Sequence, residues 1–203
     1  MDARIDQLAP GKRGGCNTWL VGDTDEVIVV DPGRDAEAVL AAVSDREILA
    51  VICTHGHPGH VAAALEVAAR DEAPVALHPR DVLAWREAHR GREPDIDMAE
   101  GGIFEVAGVA LEVIHTPGHS PGSVSLYCEQ LGVVFSGDAL TADGPAPHAG
   151  EYPDFPGQLS AIGQELLTLP DETRVLPGHG EETTVETAGK LFDSWVAAGP
   201  LPG

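Results

Sequence analysis

An unbroken apolar run of strand length, Ile48–Cys53, stops at Thr54, and three histidines follow at once in Thr54-His55-Gly56-His57-Pro58-Gly59-His60. A strand without polar alternation is one covered on both faces, so the chain must build layers on either side of a sheet. Proteins of the α/β class place their ligands just beyond strand ends. A lone histidine is usually a satisfied core or surface residue. Three imidazoles at this spacing, on a loop whose glycines let the backbone turn tightly, rarely serve packing. Imidazole nitrogens suit zinc, with Fe or Mn as alternatives.

Strands and helices alternate around this segment. Cys16–Val21 and Glu26–Asp31 read as strands joined by a turn at Gly22-Asp23-Thr24-Asp25, and Asp31-Pro32-Gly33 breaks the chain. Asp35–Val43 is expected to be a helix with Ala36, Val39, Leu40 and Val43 on one face. After the histidines come a helix over Val61–Arg70, a strand at Pro74–Leu77 and a helix over Arg80–Arg90, with Gly91–Gly102 as a connection. Strands are expected at Ile103–Val106, Ala110–His115, Ser123–Cys128 and Val133–Phe135, followed by a long Gly/Pro-rich loop from Thr141 to Gly157. Helix Leu159–Leu167, strand Arg174–Leu176 and helix Val185–Ala197 complete the pattern. Both halves send strands into His-bearing loops, which points to an α/β fold of two packed sheets with helices outside. At 203 residues, 43% of them hydrophobic, the chain fits one domain, 1–203.

Composition excludes several function classes. With 33 acidic against 12 basic residues, the formal net charge is −21, so the surface repels phosphate backbones and nucleic acid is not expected as a partner. No apolar run approaches the ~20 residues that a bilayer requires, and the start Met1-Asp2-Ala3-Arg4 lacks the features of a signal peptide. Three cysteines, Cys16, Cys53 and Cys128, have no paired spacing and suit free thiols in a reducing compartment, so a cytoplasmic location is expected.

Further motifs follow the histidine cluster in chain order. His119 lies in Thr116-Pro117-Gly118-His119-Ser120-Pro121-Gly122-Ser123, Asp138 in Phe135-Ser136-Gly137-Asp138, and His179 in Pro177-Gly178-His179-Gly180. With His55, His57 and His60, this series resembles the metallo-β-lactamase superfamily, whose hallmark is His-x-His-x-Asp-His followed by a distant His, an Asp and a last His. The resemblance covers nearly the whole chain and implies a four-layer αββα sandwich of two mixed sheets. It implies His55, His57 and His119 as ligands of one metal, His60 and His179 as ligands of a second, and Asp138 as the bridging, catalytic carboxylate. It also implies that Asp31 supports the histidine loop from behind. His78, His89 and His115 read as structural or surface residues.

One position departs from the pattern: Gly59 stands where the family has the Asp of His-x-His-x-Asp-His. The second site then keeps His60, His179 and the shared Asp138, so one or two zinc ions remain open. Glycine could also stand there for its backbone, at a φ that Asp tolerates poorly. A metal with an open position lowers the pKa of bound water to about 7, giving hydroxide for attack on an acyl carbonyl. No serine nucleophile is needed.

Within the superfamily, the chain is most similar to the glyoxalase II-like (hydroxyacylglutathione hydrolase-like) branch, in its compact actinobacterial form. That similarity implies a small-molecule acyl thioester as substrate. The helical C-terminal extension that grips glutathione in that branch is not expected here, which implies another thiol, such as mycothiol. Tyr152, Phe155 and His148, on the long loop, are candidate substrate contacts. Two alternatives stand beside the hydrolase: a mononuclear iron enzyme like the persulfide dioxygenases, and a metal- or ligand-binding homologue impaired by Gly59.

Overall fold

The computed structural model describes residues 3–10, 15–147 and 154–199. The first sheet contains strands β1 (Arg4–Leu8), β2 (Thr18–Gly22), β3 (Glu26–Val30), β4 (Glu47–Ile52), β5 (Val75–Leu77) and β6 (Ile96–Asp97), paired in that order. The second contains β7 (Ile103–Val106), β8 (Val109–His115), β9 (Val124–Cys128), β10 (Val133–Gly137), β11 (Arg174–Pro177) and β12 (Thr183–Thr184), again in sequence order. Both sheets are mixed: β3 to β6 run parallel, as do β10 and β11, and the other pairs are antiparallel.

Strand alternation sorts the apolar residues into layers, because successive side chains point to opposite faces. Trp19, Val21, Ile28, Val30, Ala50 and Ile52 point inward and meet Leu111, Val113, Leu126, Val133, Phe135 and Leu176 from the second sheet. Their neighbours Leu20, Val27, Val29, Val51 and Cys53 face outward onto α1 (Ala36–Val43), α2 (Pro58–Val61), α3 (Ala64–Ala68) and α4 (Val82–Ala88). On the far side, Val134 and Val175 pack under Ile162, Leu166, Val185 and Ala188. These last residues belong to the π-helical turn Ile162–Leu166, which follows α5 (Phe155–Ala161), and to α6 (Val185–Ala198). The result is the expected αββα sandwich.

Several elements differ from expectation. The helix expected over Val61–Arg70 begins earlier, at Pro58, and is interrupted between α2 and α3. Gly33 causes the break: its N–H donates to His60 O at 2.8 Å, and its carbonyl accepts from Ala63 N at 2.9 Å. β1, β6 and β12 are edge strands not among those expected, β6 lying within the expected Gly91–Gly102 connection. The long loop ends sooner than Gly157, since Asp154 caps α5 by accepting from Gly157 N at 2.9 Å. Phe155 therefore opens a helix, while His148 and Tyr152 lie outside the described residues.

Candidate metal centre

Strand register gathers the site. Val30 of β3 lies opposite Ile52 of β4, so Asp31 and Thr54 emerge side by side. His115 of β8 lies opposite Val124 of β9, which makes 116–123 a loop closing that pair and carrying His119. Gly137 of β10 lies opposite Pro177 of β11, and the chains continue into Asp138 and His179. A bond from Val124 N to Thr54 O (2.8 Å) ties the two sheets together at this rim.

All six expected ligand residues converge there. His57 Nδ1 and His119 Nε2 are 3.1 Å apart, near the ~3.3 Å edge expected when two imidazoles share a tetrahedral zinc. Asp138 Oδ2 lies 3.3 Å from His60 Nε2, 3.5 Å from His119 Nε2 and 4.0 Å from His55 Nε2. Its other oxygen is 2.8 Å from His179 Nδ1. The groups His55/His57/His119 and His55/His60/Asp138 each hold their donor atoms within 4.8 Å of one another, close enough to share an ion. The buried Nε2 atoms of His55 and His60 make no hydrogen bond among the described residues. Buried polar atoms normally have partners, so two orphaned imidazole nitrogens beside a carboxylate fit a metal cation as the missing one.

The electrostatics of His55, His57 and Asp138 suit a cation, whereas His60 holds a proton that a bound cation would displace. Burial holds His55 well below the usual imidazole range, and burial also lowers His57, so both present neutral nitrogens. Burial opposes the charge on Asp138, but the field of His60 and the hydrogen bond from His179 outweigh it and hold the carboxyl well below its usual range. Burial likewise opposes charge on His60, yet Cys16, Asp138 and Asp31 raise its pKa well above the ordinary value.

Asp31 stands behind the loop. It adopts a left-handed backbone (φ 50°) at the end of β3, is 1% exposed, and accepts from Thr54 N (2.7 Å), Thr54 Oγ1 (2.7 Å) and His60 Nδ1 (2.9 Å). Its bond to His60 fixes which ring nitrogen faces Asp138. Thr54, in turn, lies 3.1 Å from His55 Nδ1 through its hydroxyl.

Other supports carry no sequence motif. Asn17 donates to the carbonyls of Pro177 and Gly180 (3.0 Å each), and Trp19 Nε1 donates to Pro177 O (3.2 Å), which clamps the His179 turn to β2. Gln158 of α5 donates to the carbonyls of Asp138 (3.1 Å) and Ala139 (3.0 Å). Only the apolar context of Trp19 hints at such a role in the sequence. His89 Nε2 donates to Val61 O (2.8 Å), and His78 stacks on His115 with ring centroids 4.6 Å apart. These three stay outside the cluster.

The backbone explanation of Gly59 needs correction. Gly59 does not adopt a left-handed φ, and a Cβ there would meet nothing within 4 Å, so the backbone does not demand glycine. The pentad Gly118-His119-Ser120-Pro121-Gly122 has the Gly-x-Ser-x-Gly form of a nucleophile elbow. Its Ser120 is 3% exposed, with the hydroxyl 2.6 Å from Asp81 Oδ2 and 2.7 Å from Ser123 Oγ, so it is a buried bridging group rather than a presented nucleophile.

Comparison with known proteins matches this geometry. A probable metallo-hydrolase of Bacillus subtilis is 34% identical over 189 residues, covering 84% of this chain and 88% of that one. A hydroxyacylglutathione hydrolase of Haemophilus influenzae is 28% identical over 185 residues, covering 83% and 87%. The crystal structure of TTHA1623 in a di-iron-bound form superposes with a TM-score of 0.78 at 30% identity, covering 91% of this chain and 97% of that one. The family model described as the metallo-beta-lactamase superfamily matches residues 11–179, a span that takes in every residue of the cluster. By fold, by the order of its ligand-type residues and by this match, the chain belongs to the metallo-beta-lactamase superfamily.

Proposed function

We propose that the protein is a metal-dependent hydrolase acting on an acyl thioester of a small-molecule thiol. The observation that carries the metal-dependent part is the convergence of buried His55, His60 and His119 and exposed His179 on Asp138, with the Nε2 atoms of His55 and His60 hydrogen-bonded to nothing else among the described residues. His55, His57 and His119 would hold one ion, and His60, His179 and Asp138 would hold or share a second. Zinc suits this donor set, and the similarity to a di-iron-bound structure keeps iron in view. When bound, the metal supplies an activated water near neutral pH and an electrophile for the acyl oxygen.

The chain's own residues supply the rest. Asp138, held ionised by its neighbours, offers an oxygen that can accept a water's proton in a hydrogen bond and so orient its lone pair toward a carbonyl. The thioester class is supported by the similarity to the hydroxyacylglutathione hydrolase. Phe155 is the proposed substrate contact, a role supported by the bond from Asp154 N to Gly118 O (3.3 Å), which holds the start of α5 beside the His119 loop. Cys16, Cys53 and Cys128 are buried free thiols, which fits a reducing compartment such as the cytoplasm. Among the described residues no helix is long and apolar enough to cross a membrane.

Elemental analysis of the purified protein beside a panel of thioesters and lactones tests the proposal. Bound metal with thiol release from at least one thioester is the expected result. Metal without turnover of any member would leave an impaired binding homologue, and iron with oxygen uptake on a persulfide would favour a dioxygenase.

A further inference from the structure

We infer that Asp81 is the positioning residue that sets the spacing of the His55/His57/His119 group, an inference that rests on the metal-centre reading above. Asp81 lies at the entrance to α4, where an aspartate ordinarily caps its own helix. Its side chain makes no cap bond. It turns instead toward the rim and is 2% exposed. Oδ2 accepts from Gly56 N (2.8 Å) and from Ser120 Oγ (2.6 Å), while Oδ1 accepts from Gly122 N (2.6 Å).

Gly56 sits between His55 and His57, and Ser120 follows His119 directly. One buried carboxylate therefore grips both loops that carry the three imidazoles, one from each sheet. The two glycines it touches have room for nothing else. A Cβ at Gly56 would lie 2.4 Å from Asp81 O, and a Cβ at Gly122 would lie 2.7 Å from Asp81 Oδ1. The close approach is thus built into both loops. Ser123 backs the arrangement, its Oγ 2.7 Å from Ser120 Oγ and accepting from Ser120 N at 3.2 Å.

A carboxylate with three hydrogen-bond donors is a strong acceptor in a low-dielectric setting, and its hydrogen bonds hold direction as well as distance. The separation that matters, 3.1 Å between His57 Nδ1 and His119 Nε2, spans the two gripped loops. Loosening that grip lets the two imidazoles drift apart, which a metal feels as a poorer ligand set. Outer partners of this kind typically contribute 10–100-fold to metal affinity.

The test compares wild type with Asp81→Asn and Ser120→Ala. Affinity for the first equivalent of Zn²⁺ is read by chelator competition, ligand geometry by the visible spectrum of the Co²⁺-loaded protein, and fold by thermal unfolding of the metal-free form. Asp81→Asn replaces one acceptor oxygen by an N–H₂ that faces an N–H or O–H donor. The first-equivalent affinity is expected to fall about 10–100-fold with an altered Co²⁺ spectrum. A variant that unfolds earlier but keeps wild-type affinity and spectrum shows a merely structural role and overturns the inference. Should Asp81→Asn not fold, Ser120→Ala removes the hydroxyl's bonds to Asp81 and Ser123, keeps both backbone donors to Asp81, and is read by the same spectrum, where an unchanged result also overturns it. Wild type that takes up no metal would defeat the metal-centre reading itself, a separate outcome.

Discussion

Gly178 lies so close to His60 that a Cβ at position 178 would come within 2.6 Å of the imidazole Cε1, and equally near Asp138 Oδ1. Its φ is not left-handed, so the need for glycine is one of room alone. Gly178→Ala should push on two ligand-type residues at once. Overpacking of this kind costs about 1–3 kcal/mol. We expect a lowered melting temperature and a weakened second metal equivalent, measured by calorimetric titration of the metal-free protein. Unchanged second-equivalent binding would contradict the assignment of His60 and Asp138 to that ion.

Gly59→Asp should fold as well as wild type, because its Cβ enters open space and its backbone lies in an ordinary region. A carboxylate there adds a ligand and a negative charge near His60. Wild type should hold nearer one metal than two, and the variant should titrate with a second equivalent. Two tight equivalents already present in wild type would remove the argument.

Substituting His55, His57 or His119 by Ala removes one neutral imidazole from the first ligand group. Each variant should lose metal and activity together. Metal-free wild type should also melt lower, since an ion at about 100 times its Kd contributes roughly 2.7 kcal/mol. Full occupancy and turnover in all three variants would sink the site.

Asp31→Asn tests the support behind His60. Asparagine tolerates the left-handed backbone that Asp31 adopts, so the turn survives. Its amide N–H₂ can face His60 Nδ1, which then accepts and leaves the ring proton on Nε2, the atom facing Asp138. A protonated Nε2 cannot bind metal. Second-equivalent affinity should drop about 10–100-fold, with the first largely retained. A uniform loss at both equivalents would point to collapse of the whole loop instead.

Phe155→Ala probes the substrate side. The helix start it occupies is anchored through Asp154, so truncating the ring should leave that anchor intact. We expect KM for a thioester substrate to rise several-fold with a small change in melting temperature. A large stability loss with unchanged kinetics would make Phe155 a packing residue.

Much of this molecule was legible from the sequence, and the exceptions share a cause. His55, His57 and His60 stand together in six residues, so spacing reveals them, and His119, Asp138 and His179, each following a strand, are implied by the family resemblance. Asp81 is invisible by the same means, because its partners lie 25, 39 and 41 residues away and its local setting is that of a helix cap. The helix expected over Val61–Arg70 is broken by Gly33, a tertiary contact that no local pattern encodes. β1 escapes because Arg4-Ile5-Asp6-Gln7-Leu8 has too few apolar residues to show alternation.

The loops that bear His55, His57 and His60 leave the first sheet, whereas those bearing His119, Asp138 and His179 leave the second. Neither sheet alone presents a complete set of the proposed ligands for either ion. A nascent chain that has finished only its first half can therefore capture metal weakly at best, and full affinity arrives only when the two sheets have closed face to face. Bound metal then acts as a rivet through the sandwich. Tight uptake during refolding would serve as a clock for the moment the two halves meet.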